Sequence, residues 1–437
     1  MPVLGTIKTP DIFYGWVVVL TSSICLLLAY VMWHTWSVFF VALLREFQWS
    51  RADTSLAFSV ASVMTAIASP LAGGLIDRFT VRRVMPVAAL VLATGMIIMS
   101  MTQEKWHLYL SYGVIVGLGM VGVGTVPNYT VIHNWFRRYR GLAMGAASAG
   151  IGLGMLLIVP ATQSLIEGIG WLKALWVLAG LIAVGIPTLV LLFQRQRPED
   201  MGLRPDGATS DTIVKSKAKP TGMIVDAQWA AKDWTWQEAV RTHRYWALFF
   251  ACFVGGWGVQ TLLSHMVAAL VDVGYAASTA AWVYGLVGIT GSFGKFFWGA
   301  ISDRIGREEA ALAGAASAAL GIFLLMQIHD TSRLPLLIVF VGIYGLGYGS
   351  VPPMRPSIVA DIFQGKGFGA IYGSTYIASG LGGLIGPWLA GYLFDTMGTY
   401  QLAFTLSMVG YLLCSVGYFL AGPRKVRLVP GKSQAAC

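Results

Sequence analysis

The sequence predicts an all-α membrane protein with twelve transmembrane helices in two pseudo-symmetric halves of six. Three observations carry this. Long apolar runs recur twelve times, basic residues gather in one set of loops, and the second half of the chain repeats the first. The chain has 437 residues, 56% hydrophobic and 11% charged, whereas a soluble protein carries about a quarter charged residues. About 20 residues of apolar helix cross a bilayer.

The first run, Tyr14–Val41, is too long for a signal-peptide core and lacks a small-residue cleavage site, so it reads as a retained helix. Thr54–Ile76 and Val84–Met101 follow. His107–Ile132 contains Gly122, Gly124 and Pro127, which membrane helices tolerate better than soluble ones. Gly141–Ile166 and Leu172–Phe193 complete six spans. The second six are Tyr245–Val271, Thr279–Ile301, Ala310–Ile328, Leu334–Ala360, Phe368–Phe394 and Tyr400–Leu420. Pro352, Pro353 and Pro356 are expected to bend the tenth span, as suits a gating element.

Net charge is +10, but its distribution does not suggest nucleic-acid binding. An even number of crossings puts both termini on one side. Twenty-three of the 30 Lys and Arg residues lie on that side and five on the other. The positive-inside rule then places both termini in the cytoplasm. Cys25, Cys252 and Cys414 fall in spans and Cys437 ends the chain, so neither a disulfide framework nor a metal cluster is expected.

The hydrophilic stretch 194–244 separates a first bundle, 1–193, from a second, 245–437. It carries a basic patch at Lys215, Lys217 and Lys219. Its end, Trp234 to Arg244, reads as a short amphipathic helix on the membrane surface. The halves repeat at a nearly constant offset. Gly122, Gly124 and Pro127 return as Gly347, Gly349 and Pro352, and Gly141, Gly145, Gly152 and Gly154 return as Gly369, Gly373, Gly380 and Gly382. Duplicated bundles commonly hold a ligand near the midplane between the halves. The pairs Gly141/Gly145 and Gly369/Gly373 read as helix-packing surfaces.

Lys295 and Arg355 are cations inside apolar segments with no acid beside them. Such charges mark a pathway or a ligand, and the missing partner is an anion. Lys295 shares a helix face with Tyr284, Gly288, Gly291 and Ser292, a small and polar strip suited to a wet cavity. A lysine about 8 Å from the helix middle also has the option of snorkelling to the surface. Arg355 lies on a face with Tyr344 and Tyr348, which would make a carboxylate cradle. The alternative is an inner gate in which Arg355 pairs with Asp361 or Asp303. His34, on a face with Tyr30 and Ser37, is either a proton carrier or a hydrogen-bonded histidine without that role. Further candidate contacts are Asn128, Tyr129, Gln260, His265, Tyr372 and Tyr376, although membrane tyrosines more often serve packing. There is no phosphate loop, catalytic triad or metal spacing, so no enzyme activity and no cofactor are expected.

The sequence Gly299-Ala300-Ile301-Ser302-Asp303-Arg304-Ile305-Gly306-Arg307 resembles the loop signature of the major facilitator superfamily. It recurs as Gly73, Asp77, Arg78, Arg82 and Arg83, with Thr80 where the second glycine belongs. The resemblance implies gating roles for Asp77, Arg78, Asp303 and Arg304. Trp135 to Gly145 resembles the fifth-span signature of monocarboxylate transporters, and Tyr14-Gly15-Trp16 partly matches their first-span signature. Arg197 to Gly202 and Trp234 to Ala239 are similar to bacterial members and to oxalate–formate exchangers.

The implied function is secondary transport of a small monocarboxylate, such as lactate or pyruvate, by alternating access with proton coupling. His34 matches the position of a proton-linked lysine in animal members. The implied setting is a bacterial inner membrane, with the protein a monomer in the bilayer. Three alternatives stand beside this reading. Lys295 and Arg355 together would suit an exchanger of small dicarboxylates of the oxalate–formate type. A transporter-like sensor would need an output domain, and multidrug efflux a midspan acid; neither is present in the sequence. The chain departs from the pattern of the families it resembles in three places. Lys295 stands for an arginine and loses its planar fork, Gly291 stands for an acid, and Ser379 stands for a lysine.

Overall fold

The computed structural model describes residues 13–137, 139–207, 224–365, 367–429 and 431–432, with the side chain of Asp77 excluded. Lys215, Lys217, Lys219, Arg138 and Cys437 therefore lie outside the described residues, as does the Asp77 carboxylate. The described chain is helical, with a single isolated bridge, Ile224 to Arg427.

Among the described residues, eleven segments are long and apolar enough to cross a membrane. They are span 1 (Tyr14–Phe47), span 2 (Arg51–Phe79), span 3 (Val81–Met99), span 4 (Lys105–Trp135), span 5 (Arg140–Ile169), span 6 (Trp171–Phe193), span 7 (His243–Asp272), span 9 (Arg307–Met326), span 10 (Leu334–Tyr348 continued by Val351–Ile362), span 11 (Phe368–Met397) and span 12 (Gln401–Ala421). Span 8 (Ala277–Ile305) makes the twelfth crossing. Its glycines, hydroxyls and Lys295 lower its hydropathy. The ends that carry Tyr14, the 194–242 connection and Gly422 form one face, the linker face; the opposite one is the loop face.

Proline chemistry explains the irregular spans. In span 4 the helix breaks at Gly124 (ψ −143°). Pro127 has no N–H for the Val123 carbonyl, and Asn128 Nδ2 takes its place, donating to Val123 O at 2.9 Å and to Gly124 O at 2.7 Å. Span 10 breaks at Gly349 and Ser350, just before Pro352 and Pro353. Gly124 and Gly349, like Pro127 and Pro352, are repeat-related, so each half carries its break at the same place.

Two stripes of close contact join the halves. Along spans 2 and 11, Gly391 lies on the Arg51–Ala52 backbone, Ser55 Oγ donates to the Pro387 carbonyl at 3.0 Å, Gly383 meets Ser62 and Gly380 meets Ala66. One helical repeat further on, Gly73 and Gly373 would meet next, yet each faces open space. Along spans 5 and 8, Gly288 meets Met155, Gly152 meets Ser292 and Gly145 faces the Phe296 ring, which a Cβ there would approach to 3.0 Å. Gly141, next on that stripe, faces open space. The halves are thus closed toward the loop face and part toward the linker face. This corrects the expectation for the glycine pairs. Of Gly141, Gly145, Gly369 and Gly373 only Gly145 is packed, because the helices diverge beyond it.

The linker divides its attachments. Trp135 Nε1 donates to Arg195 O at 2.8 Å, and the Arg137 N–H donates to Asp206 at 3.0 Å, fixing its first part to the first half. Trp229 Nε1 donates to Ile362 O at 2.8 Å and the Trp234 N–H to Gln364 O at 3.1 Å, fixing its last part to the second half. The amphipathic helix expected over Trp234–Arg244 is a single turn, Trp236–Ala239, capped by Thr235 and Glu238. Trp234 is buried against Phe363 (ring centres 5.3 Å apart), so it finds a protein partner where lipid was expected.

Candidate functional site

Both intramembrane cations lie at the level where the halves part. Lys295 precedes Phe296, the last contact of the span 5–span 8 stripe. Arg355 Nη2 donates to Ser379 Oγ at 2.9 Å, and Ser379 precedes Gly380, the last contact of the span 2–span 11 stripe. The guanidinium of span 10 thus occupies the neighbourhood where the resemblance would put a lysine on span 11.

Arg355 is only 9% exposed, its Nε has no partner, and its guanidinium stands 5.4 Å from the Tyr376 ring centre. Lys295 is half-buried. Among the described residues no carboxylate pairs with either cation. The alternative of an inner gate between Arg355 and Asp361 or Asp303 is not formed. Both acids go to Arg307, at 3.1 Å and 2.7 Å respectively. Arg307 opens span 9 beside the ends of spans 8 and 10, whereas Arg355 lies six residues, about 9 Å, inside Asp361 on the same helix. Removing a charge from water costs several kcal/mol per ion, and one hydroxyl leaves most of that cost for a ligand to offset.

Aromatic groups from both halves surround the space. Tyr30 and Tyr129 from spans 1 and 4 lie within electrostatic reach of Tyr376, and Tyr30 also of Tyr348. Tyr348 packs over Gly291; a Cβ there would stand 2.7 Å from its ring, so the acid that the resemblance would place at this position has no room. Tyr344 is fully buried, with its hydroxyl 3.0 Å from that of Tyr411, and it stacks behind Tyr348 (ring centres 6.2 Å apart). Its hydroxyl is thereby engaged within the second half. Tyr372 stacks on Phe368 and is within reach of Arg355.

Span 1 contributes His34, 4% exposed, across the interface from span 8. Its Nδ1 is 3.3 Å from the Tyr284 hydroxyl and its Nε2 is buried without a partner. Ser292 gives its hydroxyl hydrogen to Gly288 O at 3.2 Å and packs against Gly152. Asn128 spends both amide hydrogens on the break in span 4. Away from this cluster, Arg78 lies over the Phe79 ring at 5.0 Å, Asp303 pairs with Arg307, and Arg304 is exposed.

A second constellation closes the loop face. Arg51 grips Asp272 with both guanidinium arms, at 2.6 Å and 2.8 Å. Its Nη1 also donates to the Tyr400 hydroxyl at 2.6 Å, and its guanidinium lies 3.6 Å from the Phe394 ring centre. The Asp395 carboxylate accepts the backbone N–H groups of Arg51 and Ala52 at 2.9 Å and 2.8 Å. A carboxylate from one half thereby caps a helix of the other, where the helix dipole favours it. His265, expected as a contact, belongs to this latch. Its Nδ1 is 3.0 Å from the Tyr400 hydroxyl and its Nε2 2.8 Å from the Pro387 carbonyl.

Comparison with known proteins agrees with this architecture. The family model described as Major Facilitator Superfamily matches residues 22–354 and again 269–436. Monocarboxylate transporter 12 of Rattus norvegicus is 24% identical over 424 residues, covering 94% of this chain and 86% of its own. Monocarboxylate transporter 13 of the same species is 26% identical over 421 residues, covering 95% and 90%. Monocarboxylate transporter 11 of Homo sapiens is 26% identical over 420 residues, covering 94% and 83%. A solved bacterial homologue of the human lysosomal transporter Spinster, described as inward-facing and unoccupied, superposes with a TM-score of 0.70 at 16% identity, over 98% of this chain and 100% of that one. The chain belongs to the major facilitator superfamily: it is a multi-pass membrane transporter and not an enzyme.

Proposed function

We propose that this transporter carries a small monocarboxylate by alternating access, with the anion held between Arg355 and Lys295. One observation carries the reading: two cations without carboxylate partners flank the level at which the halves part. A carboxylate there would take the free edge of the Arg355 guanidinium, face the phenols of Tyr348 and Tyr376, and lie under the charge of Lys295. The names of the relatives support the substrate class. The bias of basic residues supports a cytoplasmic linker face, which makes the described state open to the cytoplasm. On this reading His34 carries the coupled proton on its partnerless Nε2.

Counterflow in liposomes tests the proposal. Labelled lactate or pyruvate should enter against a preloaded anion, and Lys295→Gln should raise the apparent substrate constant or abolish uptake in folded protein. An inward proton gradient should accelerate net uptake, and His34→Gln should remove that acceleration but keep exchange. Normal kinetics in Lys295→Gln would remove the central claim. A gradient without effect, with uptake stimulated by internal anion, would replace symport by exchange. Since Lys295 and Arg355 together also suit a dicarboxylate, preference for oxalate over lactate would favour that second reading.

A further inference from the structure

We infer that His265 is a second proton-binding site, which releases the loop-face latch when it is protonated. This concerns a different site from the substrate cluster and does not depend on which anion is carried.

The hydrogen-bond chain fixes the protonation state of the closed latch. Pro387 offers only a carbonyl oxygen, so His265 Nε2, at 2.8 Å, must carry a hydrogen. Arg51 Nη1 has only hydrogens to offer, so the Tyr400 oxygen accepts from it at 2.6 Å. The Tyr400 hydroxyl hydrogen then has His265 Nδ1 as its acceptor, at 3.0 Å. Nδ1 accepts only while the imidazole is neutral. The closed latch therefore uses a neutral ring whose two nitrogens are both engaged, and His265 is fully buried within it.

A proton on Nδ1 reverses the chain. The ring then needs an acceptor where it had a donor, and the Tyr400 oxygen would face two cationic donors at once. Tyr400 must turn its hydrogen elsewhere, and a second positive charge stands on the chain that holds Arg51. The groups around the ring do not provide a direct counter-ion. Span 1 presents the Phe40 ring edge-on at 4.9 Å. Span 11 offers Pro387 O and, nearer the surface, Asp395, whose oxygens accept the Arg51 and Ala52 N–H groups. Span 2 presents Arg51. Span 7 itself supplies Asp272, which Arg51 holds with both arms. Tyr400 caps the start of span 12. Protonation thus acts against the contact between halves, and by linkage opening of the latch must favour the proton. A proton arriving from the loop face would in this way promote the conformation that admits substrate from that face.

The test is a distance across the loop face. Gln103 and Arg333 are exposed there on opposite halves, and would be changed to cysteine for spin labelling in a Cys437→Ser chain reconstituted in lipid. Lowering the pH from about 7.5 to about 5 should enlarge the open population roughly tenfold, within the usual range for coupled sites. In His265→Gln, which keeps an amide donor for Pro387 O but no titratable ring, the distribution should not respond to pH. Tyr400→Phe, which keeps the histidine and cuts the chain, should lose the response too. His34→Gln should retain it. An unresponsive wild type, a full response in His265→Gln or Tyr400→Phe, or loss of the response in His34→Gln alone would each overturn the inference.

Discussion

Replacing Arg355 by glutamine removes the guanidinium on which the proposed substrate site depends, and its cost can be worked from the surroundings. One nitrogen is engaged by Ser379 and Nε is free, so a carboxylate has a guanidinium edge available without displacing a protein acid. Truncating one partner of a buried, hydrogen-bonded charge pair costs about 2–5 kcal/mol. The cleft is open on the linker side, and water there screens the pair, which favours the lower end. A loss of about 2–3 kcal/mol corresponds to a roughly 30- to 150-fold weaker Kd. The assay is equilibrium binding of a labelled carboxylate to purified protein, alongside its thermal unfolding. Ser379→Ala, which keeps the charge, should weaken binding far less. If folded Arg355→Gln binds within twofold of the parent, Arg355 is not a substrate ligand and the cradle is wrong.

Three further outcomes follow from the geometry. Thr80 sits at φ 68° and ψ 153°, in the place where the second half has Gly306 at φ 115°. That region is essentially restricted to glycine and costs about 1–3 kcal/mol, so Thr80→Gly should stabilise the protein by about 1 kcal/mol after glycine's extra chain freedom of about 0.5–1 kcal/mol is deducted; a lower melting temperature would refute the strain. Gly291→Asp should displace the Tyr348 ring and reduce binding even though it supplies the acid expected from the resemblance, and binding at the parental level would show that the ring yields. Arg51→Gln should shift the conformational balance toward the loop-face-open form, read as faster labelling of a cysteine placed at Ser55; an unchanged labelling rate would show that Asp395 and the glycine seam suffice to hold the face shut.

The spans were legible because twenty-odd apolar residues have one economical place in a cell, and their breaks because proline cannot supply an N–H. Lys295 and Arg355 were visible as charges without local acids. What the sequence concealed was partner choice over distance. Arg51, Asp272 and Asp395 read as ordinary charges at span ends, since nothing in their local pattern says that a residue 221 positions away completes the pair. His265 looked like a cavity residue for the same reason, and Arg307 took the acids once considered for Arg355 because helix ends converge there. The linker misled in the opposite sense. Its tryptophans have the composition of a lipid anchor, but the end of span 10 offered them backbone carbonyls and Phe363.

The capping of span 2 by Asp395 makes opening of the loop face a hydration reaction. In the closed state the backbone N–H groups of Arg51 and Ala52 are satisfied by a carboxylate from the other half. Once the halves separate, those two donors lose the Asp395 oxygens and the Arg51 guanidinium loses Asp272, and solvent has to take each of these places. Each transport cycle would then draw in and expel a small shell of water at this helix terminus. Osmolytes excluded from protein surfaces, placed on that side alone, would hold the face shut without touching the substrate site.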